Sequence, residues 1–153
     1  MSLKDRITED MKNAMRARDA DRLGTIRMLL AACKQREVDE RIVLDDVAVI
    51  GLVDKLIKQR KDSIAAFQQG GREDLVAKES AEVAVLEAYL PQRLSAEQVA
   101  AEIGSIVVAL TTELGRKPGP AEMGRVMGAA KSRLAGQAEM GLVSAAVKQA
   151  LAQ

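Results

Sequence analysis

The sequence contains no histidine, no tryptophan and a single cysteine among 153 residues. Each absence excludes something. Histidine is the side chain whose unperturbed pKa lies closest to neutrality, so most general-base and many metal-ligand roles fall to it. Serine and cysteine nucleophiles commonly need such a base beside them. Without histidine, a CxxC pair or calcium-loop spacing, neither a metal nor a cofactor is expected. A lone cysteine excludes an intrachain disulfide and fits a reducing compartment, so a cytoplasmic location is expected. Met1–Arg6 lacks the apolar run of a secretory signal. No window of about 18 apolar residues is present to span a membrane, and lipidation motifs are missing. Phe67 and Tyr89 are the only aromatic residues. The core must therefore consist of Leu, Ile, Val, Met and Ala.

What is present suits a folded protein: 48% of residues are apolar and 29% charged, too apolar for disorder. The formal net charge is +1, so no global field attracts nucleic acid or membrane. Residues 1–93 carry 17 basic and 17 acidic side chains, and residues 94–153 carry 6 and 5. Any nucleic-acid surface must be a local patch.

Helical periodicity dominates, with no strand-like alternation or repeat. Ser2 caps a first helix marked by Leu3, Ile7, Met11 and Met15. Asp19 or Asp21 caps a second, with Leu23, Ile26, Leu30 and Cys33 on one face, which charged residues from Glu37 to Arg41 end. A third starts near Asp45 or Asp46 and stops at Gly70-Gly71. Asp74 or Glu73 opens a fourth, which carries Val76, Val83, Leu86 and Leu90 to Pro91. Tyr89-Leu90-Pro91-Gln92-Arg93 is the boundary candidate. Ser95 and Gln98 then form a capping-box pattern for a fifth helix that Gly115 closes. Pro120 suits a helix start. A sixth helix runs through Met123, Val126, Met127, Ala130 and Leu134, and a seventh through Met140, Val143, Val147 and Leu151. The expected fold is all-α: a four-helix N-terminal domain over 1–93, then a small three-helix C-terminal domain over 94–153.

Several residues invite a chemical reading. Cys33 falls on the apolar face with no histidine to activate it, so a buried structural role is expected. Asp45-Asp46 read as a helix cap, and Gly70-Gly71-Arg72 and Gly115–Pro120 as loops without a phosphate-loop signature. Lys55, Lys58 and Lys61 project from the third helix as a solvated face or an interaction surface. Arg60 lies in the core-facing stripe between Val53, Ile57, Ile64 and Phe67. A buried guanidinium needs a partner, so Arg60 is expected to form an internal ion pair, with Glu79 or Glu82 as candidates. The alternative is an exposed groove where helices diverge. In the C-terminal domain, Arg116, Lys117, Arg125, Lys131, Arg133 and Lys148 make no single stripe. Aromatic stacking is absent, which disfavours single-stranded base recognition. Phosphate contact with folded RNA needs only positioned cations and backbone amides.

Five segments are familiar in this order and spacing: Arg36-Glu37-Val38-Asp39-Glu40-Arg41, Lys55-Leu56-Ile57-Lys58-Gln59-Arg60-Lys61-Asp62-Ser63, Tyr89-Leu90-Pro91-Gln92, Glu122-Met123-Gly124-Arg125-Val126-Met127-Gly128, and Gly136-Gln137-Ala138-Glu139-Met140-Gly141-Leu142-Val143-Ser144. Together they resemble the YqeY family, also called GatB/YqeY-like proteins, over nearly the whole chain. The resemblance implies a cytoplasmic all-α protein. Its C-terminal domain resembles the tail of the B subunit of the glutamine-dependent aminoacyl-tRNA amidotransferase, which contacts the tRNA body. The matching positions, Val126-Met127, Gly136, Ala138, Val143 and Leu151, are mostly packing positions. That subunit's catalytic domain has no counterpart here. A label of carbon–nitrogen ligase activity with glutamine as amido donor would be inherited from the shared tail alone.

The expected function is a non-catalytic accessory module that binds tRNA, or a tRNA-handling complex, through Arg116, Lys117, Arg125, Lys131, Arg133 and Lys148. A protein-interaction module using Met123, Met127 and Met140 is the alternative, and an amidotransferase ranks last.

Overall fold

The computed structural model describes residues 1–152. Seven α-helices follow in order: α1 (Leu3–Arg16), α2 (Ala20–Glu40), α3 (Asp46–Gln69), α4 (Glu73–Glu87), α5 (Ala96–Leu114), α6 (Met123–Leu134) and α7 (Met140–Ala152). A 3₁₀ turn, Pro120–Glu122, precedes α6. There is no strand among the described residues.

Local chemistry sets the helix starts. Ser2 and Asp5 form a reciprocal capping box, as do Ser95 and Gln98. Each box satisfies backbone donors that no helical carbonyl can reach. Asp19 and Asp45 cap α2 and α3 by accepting from the N–H groups of Arg22 and Ala48. Gly115 ends α5 at φ 70° and Gly136 turns the chain at φ 74°, a region that costs glycine nothing.

Two ends differ from the periodicity. α4 stops at Glu87 rather than running to Leu90; the N–H groups of Tyr89 and Leu90 reach back only three residues, to Leu86 and Glu87. Pro91 disfavours helix at Leu90, and the tighter turn drives the Tyr89 ring inside, where it is 3% exposed. Pro120 starts the 3₁₀ turn instead of α6 itself, and Glu122 bends back to accept from the Gly119 N–H at 2.7 Å.

Contacts divide the chain into two compact units, the first spanning Met1–Leu90 and the second starting at Pro91. The first holds α1–α4: α3 packs along α4, α1 along α2, and α2 also touches α4. Its core includes Ile7, Ile26, Leu29, Val49, Val53 and Leu86, all essentially inaccessible. Cys33 is buried among them, and that burial pushes its thiol pKa up, away from reactivity. The second unit holds α5–α7 around Val99, Ile103, Val126, Ala130, Leu134, Val143 and Val147. The Leu94 N–H donates to Gln137 O at 2.9 Å, tying the start of this unit to the α6–α7 turn.

Candidate nucleic-acid interface

Arg116, Lys117, Arg125, Lys131, Arg133 and Lys148 are all exposed, but three of these six are already engaged. Arg125 on α6 pairs with Glu113 on α5, and Arg133 pairs with Glu102 at 2.9 Å. Arg125 opens α6 and meets the end of α5; Arg133 closes α6 and meets the start of α5. The two pairs thus bridge antiparallel helices at both ends of a groove of about 370 Å³ floored by Ile106, Ala109, Val126 and Ala129. Arg116 pairs with Glu122 and also donates to Lys117 O at 3.3 Å. Glu122 accepts from both the arginine and the Gly119 N–H, which together hold its carboxyl below the usual range. Arg116 therefore clasps the turn before α6.

Lys117, Lys131 and Lys148 have no ion pair among the described residues. Ser144 on α7 meets the Met127 sulfur on α6. Lys131 lies one turn after Met127, and Lys148 one turn after Ser144. At 100° per residue each stays on its helix's side of that contact, so the lysines flank the α6–α7 seam. Beside Lys131 the outer face of α6 is bare: Gly124 and Gly128 are exposed, and an added Cβ at either would meet nothing within 4 Å. Glycine in a helix interior costs about 1 kcal/mol relative to alanine. Gly128→Ala is accordingly expected to stabilise the protein by about 0.5–1 kcal/mol, readable as a raised midpoint in thermal unfolding.

Met123 and Met127 pack against the second core, while Met140 is 37% exposed beside Leu142 at 38%. The three methionines do not form one surface.

In the first unit, Lys55, Lys58 and Lys61 are exposed on α3. Asp54 and Asp62 are interspersed along the same helix, so the face is of mixed sign. Lys55 also borders a groove of about 480 Å³ between α2 and α3, opposite Arg36, Asp39 and Glu40. Arg60 turns inward: its Nε donates to Glu82 Oε2 at 3.0 Å, Nη1 donates to Leu56 O at 3.2 Å, and Nη2 touches the Met28 sulfur. No group of three or more histidine, cysteine, aspartate or glutamate side chains able to hold a metal occurs among the described residues. Among the described residues no helix is long and apolar enough to cross a membrane.

Sequence reasoning left the partners Glu102, Glu113 and Glu122 unassigned. Their signal was there in part, since Glu102 and Glu113 sit at whole-turn spacing on α5. It also left Glu37 without a role. That carboxylate accepts from Lys4 Nζ and from the Leu44 N–H at 3.2 Å, and these bonds hold it below the usual carboxylate range. It locks α1 and the α2–α3 loop to the end of α2.

A family model described as Yqey-like protein matches residues 4–151. Among the relatives is the altered inheritance of mitochondria protein 41, mitochondrial, of Eremothecium gossypii, 37% identical over 123 residues, covering 78% of this chain and 67% of the relative. The protein of the same name from Lachancea thermotolerans is 43% identical over 109 residues, covering 71% and 57%. That from Kluyveromyces lactis is 38% identical over 123 residues, covering 80% and 65%. The chain thus spans about three-fifths of the length of these relatives. Their names overturn the expected cytoplasmic location, because they are mitochondrial proteins. The inference failed on its physics. A lone thiol fits any reducing compartment and does not separate the cytosol from an organelle interior.

Proposed function

The chain belongs to the YqeY-like family, and from that premise we propose that its second unit is an accessory RNA-binding module that docks on the folded body of a tRNA. Lys117, Lys131 and Lys148 supply the phosphate contacts. The observation that carries this reading is the α6–α7 seam: two uncompensated lysines flank it, beside a helix face stripped to backbone by Gly124 and Gly128. A phosphate backbone approaches a glycine face more closely than a side-chain-covered one. Arg116, Arg125 and Arg133 serve mainly to hold the unit together, since each would have to leave a carboxylate to meet a phosphate.

Three phosphate contacts make a weak and strongly salt-dependent complex. A fourfold rise in salt is expected to weaken tRNA binding by roughly 20- to 40-fold. Replacing Lys117, Lys131 and Lys148 together by glutamine should remove the binding and its salt slope while leaving helicity unchanged. Fluorescence anisotropy with bulk tRNA at low and moderate salt measures both. Absence of binding at low salt would eliminate direct RNA recognition. The proposal assigns this chain no bond-making step. Release of ammonia from glutamine by the purified protein, given ATP and mischarged tRNA, would contradict it.

A further inference from the structure

Six large apolar side chains of the first unit are exposed among its described residues: Met1, Met15, Val38, Ile42, Val43 and Val47. Four of them fall within ten consecutive residues at the α2–α3 tip. Val43 is 84% exposed and Val38 59%. Scattered exposed aliphatics are ordinary, but four so close along the chain at one helix–helix connection point to an interaction site.

This tip is also rigid. Ile42 N–H donates to Glu37 O at 3.2 Å, Leu44 is buried beneath the loop, and Glu37 binds both Lys4 and the Leu44 N–H. Asp46 accepts from the Leu3 N–H at 2.9 Å, which fastens the start of α1 to the same end. A surface already held in place loses little entropy on binding. The surrounding charge is acidic. Residues 36–47 contain five carboxylates and two arginines. Arg36 pairs with Glu40 and Lys4 with Glu37, so Asp39, Asp45 and Asp46 outnumber Arg41 around the apolar side chains.

We propose that the α2–α3 tip is a docking surface for a basic amphipathic segment of a partner protein. The partner's apolar side chains cover Val38, Ile42, Val43 and Val47, and its lysines or arginines meet Asp39, Asp45 and Asp46. The acidic rim repels nucleic acid and anionic membrane, so this surface and the RNA-binding seam are separate, with opposite charge preference.

The test uses the full chain and a labelled leucine–lysine amphipathic peptide, with a leucine–glutamate peptide of the same apolar pattern as control. The lysine peptide is expected to bind and the glutamate peptide not. The double variant Ile42→Ser/Val43→Ser alters only exposed side chains, so unfolding should stay unchanged; peptide affinity should fall about tenfold and tRNA binding should not move. Equal binding by the variant, or by both peptides, overturns the proposal. So does concentration-dependent dimerisation that the variant abolishes, which would make a second copy the occupant. Val43-dependent adsorption to anionic phosphatidylserine vesicles would overturn it as well.

Discussion

Glu82→Ala is expected to destabilise the protein by about 2–3 kcal/mol. Removing one partner of a buried ion pair usually costs about 3–5 kcal/mol, because the remaining charge loses its compensation without regaining water. The Arg60 side chain is 12% exposed and Glu82 24%. Water reaches the carboxylate more than the guanidinium, which places the effect just below that range. After the substitution Arg60 keeps only the Leu56 carbonyl and the Met28 sulfur, neither of which carries a charge. The double variant Arg60→Met/Glu82→Met should recover most of the loss, since apolar side chains of similar volume commonly replace such pairs without penalty. Urea unfolding followed by circular dichroism measures both. A loss below about 0.5 kcal/mol for Glu82→Ala would mean that the pair behaves as a solvated surface pair.

Arg60 also shows where sequence reasoning stops. Its position in the apolar stripe of α3 demands a carboxylate, and helical geometry alone yields that demand. Choosing Glu82 over Glu79, one turn apart on α4, depends on how far α4 slides along α3, which no local pattern encodes. The caps at Ser2, Asp19, Asp45 and Ser95 were legible because donor and acceptor lie within three residues. The end of α4 was legible only in part: Pro91 signals a stop, but the tight turn that buries Tyr89 against Asp10 of α1 depends on a partner 79 residues away. Arg125 and Arg133 read as free cations for the same reason: their carboxylates sit on a different helix. The Arg36–Arg41 segment carried family resemblance without a chemical role until Glu37 was seen to bind Lys4 and the Leu44 N–H. Pairing with carboxylates thus engages Arg116, Arg125 and Arg133 and leaves Lys117, Lys131 and Lys148 without an ion pair among the described residues.

Tyr89 carries the largest single side-chain effect expected in the first unit, and it adds a pH signature. Its ring is buried, its hydroxyl donates to Asp10 Oδ2 at 2.8 Å, and the Arg6 guanidinium lies 5.4 Å from the ring centroid. Arg6 in turn donates to Ala88 O at 3.2 Å, so this bond and the Tyr89 contacts together fasten α1 to the end of α4. Tyr89→Ala should cost about 3–5 kcal/mol through the cavity and the lost contacts. Tyr89→Phe keeps the ring and leaves Asp10 without its donor, a cost of about 1 kcal/mol. Burial, reinforced by the bond to Asp10, pushes the phenol's pKa up to about 12 from an ordinary 10.0. The folded state therefore holds its proton where the unfolded chain releases it. Stability from this group is complete below about pH 10 and is lost as pH rises toward 12. Because this is the only tyrosine and tryptophan is absent, phenolate absorbance reports the group without interference. The expected titration is displaced to the alkaline side in the folded protein and returns to the ordinary value in urea. Tyr89→Phe should flatten the alkaline fall in stability. A folded-state midpoint near 10 would show the hydroxyl open to water and remove the Tyr89–Asp10 link between α4 and α1.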